Sequence, residues 1–141
     1  MASQSLTWNG DAITTRTRRA QIVGVNATMG QSVVHAKSNH AWQNQSGVLE
    51  GSIDIAEGAR AEGQGVVGVW GSKDVQYALI HELGGTIVPV KARALAIPQP
   101  DGSVRFAKSV IIPARPYLRP AADATYGKLP SNIRKAYEAD V

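Results

Sequence analysis

Cysteine is absent from the 141 residues. That excludes disulfides, thiol nucleophiles and cysteine-ligated zinc together, and it fits assembly in a reducing cytoplasm. Aromatic residues are scarce, at 6%, so the interior has to be built from Val, Ile, Leu and Ala. Long apolar runs are missing as well. Nothing approaches the ~18 consecutive apolar residues that a membrane span needs. The opening "MASQSLTWNGDAITTRTRRA" carries no apolar stretch behind its basic residues, unlike a secretory signal. These absences predict a soluble chain with no membrane partner.

Catalytic signatures are also incomplete. His81-Glu82 in "YALIHELGG" begins like a zinc-hydrolase helix, in which two His one turn apart share a metal and the Glu activates water. The position four residues after His81 is Gly85, so the second ligand is missing. His35 and His40 are five residues apart, ~140° around a helix, and diverge unless the helix breaks. A three-histidine site from His35, His40 and His81 is an arrangement the sequence leaves open. No Ser sits in a G-x-S-x-G elbow, "GSKD" is too short for a phosphate loop, and no helix follows the glycines of "EGARAEGQGVVG". The acids Glu50, Asp54, Glu57 and Glu62 read as a solvated strand and loop face. The reading is a non-enzyme without cofactor or metal.

What is present is a hydrophobic fraction of 43% in a length that suits one domain spanning residues 1–141. Ile22, Val25, Met29, Val33 and Ala36 recur at spacings of three and four, which puts them on one stripe of a long N-terminal helix. Val23, Ala27 and Val34 widen that stripe, while Gln21, Thr28, Gln31 and Ser32 fall away from it. Gly24 and Gly30 cost this helix up to ~1 kcal/mol each relative to Ala.

A turn at Ser46-Gly47 leads into a strand beginning between Leu49 and Ser52, "ARAEGQG" connects it, and Val66–Ser72 returns as its hairpin partner. Gly68 marks a close approach or a bulge. Ser72 or Asp74 caps a short helix that stops at Gly84-Gly85. "PDGS" turns a hairpin of Ala94–Pro98 against Val104–Ile112, and residues 120–141 form a helical segment broken near Gly127 and Pro130. The class is α+β: a long N-terminal helix on a small, mainly antiparallel sheet of about four or five strands, a short central helix and a C-terminal helix.

The formal net charge is +4 and the sequence pI 9.6. Arg16, Arg18 and Arg19 gather at the start of the long helix. Lys91, Arg93, Arg105, Lys108, Arg115, Arg119, Lys128, Arg134 and Lys135 lie in the last third. With no base-reading module, any DNA contact would run through charge alone. Arg16, Arg18, Arg19, Lys91 and Arg93 are the candidates for DNA or an acidic partner. Glu82, near a helix C-terminus, is unfavourably placed by ~0.3–1 kcal/mol and invites a cation such as Lys91, Arg93 or one from an adjacent subunit. In "SVIIPARPYLRPA" the prolines hold an extended strap with Tyr117 and Leu118 as anchors, a form suited to docking because little entropy is lost.

"YALIHELGGTIVP", "ALAIP" and "IPARPYLRPA", in that order, resemble the virion morphogenesis and tail-completion proteins of tailed bacteriophages. The matching residues are Tyr77, Ala78, Glu82, Gly84, Gly85, Ile97, Pro98, Ile112, Pro113, Arg115, Pro116, Tyr117 and Leu118. "QSGVLEGSI" is similar to the family's turn into its first strand through Gly47, Leu49, Ser52 and Ile53, with Ser46 in place of Thr. The likeness runs from Val33 to Ala122, and the "GKLP" interruption lies outside it.

The resemblance implies a structural virion protein of the neck, made in the host cytoplasm. It would form a ring, hexameric or twelve-fold, that completes the tail and joins it to the connector. Its partners would be itself, the connector or adaptor, tail tube or terminator proteins, and genomic DNA in the lumen. On that reading Met29 and Val33 on the helix, with Glu82, Arg115, Pro116, Tyr117 and Leu118 around the strap, are the candidate subunit contacts. Residues 1–12 read as a flexible arm anchored by Trp8. A small basic DNA-binding protein working alone is the alternative.

Overall fold

The structure, a computed structural model, describes residues 4–40, 47–73, 75 and 78–140. Asp74, Tyr77, Gln45 and Ser46, all used above, lie outside the described residues. Helix α1 spans Gly10–Ser38 and α2 Val48–Ser52, followed by strands β1 (Ile53–Glu62) and β2 (Gly65–Ser72). Helix α3 (Ala78–Leu83) leads to β3 (Gly85–Ile87), β4 (Leu95–Pro98), β5 (Val104–Ala107) and β6 (Val110–Ile112). The chain ends in α4 (Leu118–Thr125), a 3₁₀ turn at Tyr126–Lys128 and α5 (Leu129–Ala139). The α+β class holds, with the long first helix, short central helix and C-terminal helices in their expected order. The strands differ from a single sheet. Among the described residues six strands form three antiparallel ribbons, β1–β2, β3–β6 and β4–β5.

Helix α1 organises the body because it buries two stripes. Met29, Val33 and Ala36 are buried and Ile22 and Val25 half-buried, as the apolar spacing requires. This stripe faces β1–β2, where Gly68 lies so close that a Cβ there would stand 2.5 Å from Met29 Cε and 3.2 Å from Val25 Cγ1. The second stripe is small: Ala20, Gly24, Thr28 and Ser32, one residue every four, all buried. It receives the C-terminal helices. A Cβ on Gly24 would meet Ile133 Cγ1 at 2.5 Å and Ile133 Cα and N at 2.9 Å. Asn132 Nδ2 donates to Thr28 Oγ1 at 2.9 Å, and Ser32 Oγ lies 2.6 Å from Thr125 Oγ1. Thr28 and Ser32, expected on a polar side, are therefore interior. Their hydroxyls also bond the carbonyls one turn back, which lets polar groups sit dry.

Two strand boundaries move. The expected start at Leu49–Ser52 is a helical turn, because Gly47 takes a left-handed φ of 72° and accepts the Gly51 N–H at 2.9 Å. Strand β1 then runs to Glu62, through the expected loop, and closes with Gly63 at φ 57°. Its register slips between Glu57 and Arg60, and Asn26 Oδ1 accepts the Ala59 N–H there at 2.8 Å. The side chain of α1 thus satisfies a donor that the bulge takes from the ladder. The long strand expected over Val104–Ile112 splits in two. Val104–Ala107 pairs with β4, while Val110–Ile112 pairs with β3.

The core joins Val33 and Ala36 of α1 to Leu49, Ile53, Ala78, Tyr117 and Ala121, with Ile55, Trp70, Val75 and Leu118 packed around it. Burying a side chain such as Ile53 completely contributes ~1.5–3 kcal/mol. From this body β3 and β6 leave side by side and carry the β4–β5 ribbon as an arm. Its tip is the expected turn: Asp101 accepts the Ser103 N–H and hydroxyl, which holds its carboxyl below the usual range, and Gly102 has φ 86°.

Candidate functional site

The His-Glu dipeptide sits at the end of α3, where Gly84 stops the helix. Its φ of 71° suits glycine, and its N–H donates to Ile80 O at 2.7 Å. A Cβ there would lie 2.7 Å from Ala114 N and 2.9 Å from Ile112 O, so the outgoing β3 and the returning strap touch at this point. The Arg115 N–H donates to His81 O at 2.8 Å across the same seam.

Glu82 completes the junction. Its Oε2 accepts the Tyr117 N–H at 2.7 Å and the Leu118 N–H at 3.0 Å, and Oε1 accepts the Arg119 N–H at 2.9 Å. These are donors at the start of α4 that have no partner within the helix. A carboxylate there also faces the positive end of the helix dipole. The cation expected for Glu82 is therefore a helix N-terminus of its own chain, and neither Lys91 nor Arg93 pairs with it among the described ion pairs.

Beside it Tyr117 is fully buried, its hydroxyl 2.6 Å from Ser72 Oγ. Burial pushes this phenol above its ordinary pKa. The hydrogen bond to Ser72 offsets part of that rise, and the Glu82 charge adds to it. Ser72, a candidate cap for α3, holds Tyr117 instead. Trp70 Nε1 donates to Tyr126 OH at 2.9 Å over a shallow groove that Glu82, Leu118, Arg119 and Ala122 help to line.

The expected subunit contacts separate into two groups. Arg115 and Pro116 are exposed. Met29, Val33 and Tyr117 are interior and Leu118 packs on the core, so their apolar surface is taken up within the chain. Helix α1 leaves Val23 and Val34 exposed instead. The basic candidates separate too. Arg16 donates to Tyr137 O through Nε at 3.0 Å and Nη2 at 2.6 Å and lies 4.1 Å over the Tyr137 ring. Arg18 donates to Gly65 O at 2.5 Å, and Arg19 pairs with Asp140 at 2.8 Å. These arginines fasten α5 and the hairpin to α1. Lys91 and Arg93 are exposed in the segment before β4. Trp8, expected to anchor the N-terminal arm, is 79% exposed.

Among the described residues no three His, Asp or Glu side chains group to hold a metal, so the three-histidine arrangement is not formed. His40 instead lies 3.2 Å from Glu50. No helix among the described residues is long and apolar enough to cross a membrane. What sequence reasoning missed was the partner of each motif half. The signal was present: an acid closing one motif and a Pro-Tyr-Leu helix start opening the other. No protein-family model, no curated protein and no solved structure matches the chain.

Proposed function

We propose that the chain is a structural subunit of the neck of a tailed bacteriophage, forming a ring that completes the tail and joins it to the connector. Genomic DNA passes through the lumen. The subunit acts by assembly, without turnover or a cofactor, and resides in the virion after folding in the host cytoplasm.

The observation that carries this reading is the Glu82 junction. The residues of "YALIHELGG" and "IPARPYL" that resemble the phage proteins are far apart in sequence, yet Glu82 binds the backbone of Tyr117, Leu118 and Arg119. The motif residues therefore make one mechanical unit, with the carboxylate spent on helix donors rather than aimed at solvent. That use suits a part whose task is to hold shape.

A phage lacking this chain is expected to produce heads and uncompleted tails that stay apart in negative-stain images. Joined, infectious particles would sink the proposal. The reading as a DNA-binding protein working alone draws on the exposed cations of the β4–β5 arm. It requires salt-dependent binding of duplex DNA by the isolated chain.

A further inference from the structure

We propose that the β4–β5 arm of one copy docks face to face on the outer surface of the β1–β2 hairpin of the next copy. This rests on the self-association contained in the neck reading and names the two faces that meet.

The arm needs a cover. A two-stranded ribbon is marginally stable alone in water, and the partner strands of β4–β5 are chiefly each other. The register sets Ala96 opposite Phe106 and Pro98 opposite Val104, so these four share one face. All four are exposed, Phe106 at 70% and Val104 at 50%. The surroundings are basic. Lys91, Arg93, Arg105 and Lys108 are exposed and make no ion pair among the described residues, and Asp101 at the tip is the one acid in the sequence between Lys91 and Lys108.

The hairpin offers the complement. On β2 the residues turned away from α1 are Gly65, Val67, Val69 and Gly71, a flat apolar strip. Their partners on β1 are Glu62, Arg60, Glu57 and Asp54, so a row of three carboxylates with one guanidinium borders the strip. Arg60 lies 3.8 Å from both Glu57 and Glu62 and offsets one of the three negative charges, which leaves the row net acidic. Glycines in the strip let another backbone approach closely, and Phe106 is the projection that fits beside them. Lys91, Arg93 and Lys108 border the arm just outside its strands, with Arg105 turned to the other face of the ribbon, and carboxylates flank the apolar strip of the hairpin. Duplex DNA would satisfy the cations and leave Phe106 uncovered.

Two different patches meeting give a head-to-tail contact, which closes into a ring or runs on as a filament. Four apolar residues cover only part of the ~800 Å² per partner typical of a stable interface. One contact is therefore weak, and closure of the ring supplies the rest.

The lack of cysteine makes the contact readable by single-cysteine variants. Val69→Cys and Phe106→Cys chains replace exposed side chains and keep the fold. Mixed at high concentration and oxidised with diamide, they are expected to form the mixed disulfide at least about tenfold faster than Phe106→Cys mixed with Val34→Cys, a control on the open side of α1. Glu57→Lys with Glu62→Lys on the Val69→Cys chain should remove that excess. Arg93→Glu with Lys108→Glu on the Phe106→Cys chain should then restore it.

A mixed disulfide no faster than the control, or an excess indifferent to charge reversal, overturns the proposal. So does a duplex oligonucleotide that blocks the cross-link by occupying the arm. If the chain sediments as an oligomer while the cross-link fails, the faces are wrong and the self-association stands. Joined particles from a phage lacking the chain remove the neck reading and leave the cross-link result intact.

Discussion

Gly24 of α1 and Ile133 of α5 meet backbone to backbone. A methyl group on Gly24 would stand 2.9 Å from both the nitrogen and the Cα of Ile133. In an isolated helix Gly24→Ala would stabilise by ~1 kcal/mol. Here the added carbon has to push α5 away, and overpacking of this kind costs ~1–3 kcal/mol. Gly24→Ala is therefore expected to lower stability in urea denaturation, whereas Gly30→Ala, with nothing within 4 Å of its added carbon, raises it.

Removing the Glu82 carboxylate leaves the Tyr117, Leu118 and Arg119 N–H groups without their charged acceptor. Glu82→Ala is expected to cost ~2 kcal/mol, in the range of a lost cap and of hydrogen bonds to a charged group. Glu82→Gln keeps one acceptor oxygen and should cost about half as much. Chemical denaturation of both variants checks the order. Equal loss from the two would show that the hydrogen bonds contribute little.

Tyr117 sets a limit at alkaline pH. Its folded-state pKa is raised, chiefly by burial, above the ordinary value of 10.0. The unfolded chain therefore releases this proton first as pH rises. The contribution of the neutral phenol is intact below about pH 10 and is lost on rising through that value toward the folded pKa. Tyr117→Phe should cost ~1 kcal/mol at neutral pH, the worth of the Ser72 hydrogen bond. It should also flatten the fall in stability above pH 10. A pH series of melting curves on both proteins tests this, and parallel curves at high pH would refute it.

Arg16 is expected to matter for attachment of α5 and little for nucleic acid. Arg16→Ala loses two hydrogen bonds to Tyr137 O and the contact over its ring, together ~1–2 kcal/mol. Amide exchange should accelerate in residues 129–139 before it does in the β1–β2 hairpin. Uniform acceleration across the chain would count against a local clamp.

The sequence carried the first helix because its apolar spacing is regular and long. It hid the role of Thr28 and Ser32 because a hydroxyl that bonds its own helix can be buried, so polarity alone misplaces it. The four-residue recurrence of Ala20, Gly24, Thr28 and Ser32 was visible as smallness, which marks a close helix crossing. The β-rich run over Val104–Ile112 gave no sign of where it changes partner, since pairing is decided by distant strands. Glu82 was readable as an acid in an awkward place, but its answer lay at Tyr117–Arg119, too far along the chain for any local rule. The exposed cations at Lys91 and Arg93 were legible as charge. The engagement of Arg16, Arg18 and Arg19 was not, because it depends on where α5 and the hairpin come to lie.

The chain leaves the body at Gly84 and re-enters it at Ala114, and these two points touch. Everything between them is an excursion whose ends are closed by the body itself. The free energy of closing such a loop changes only slowly with its length. Lengthening, trimming or replacing the arm should therefore leave folding of the core almost untouched. On the docking proposed above, the surface offered to a neighbour can diverge freely while the scaffold that presents it stays the same.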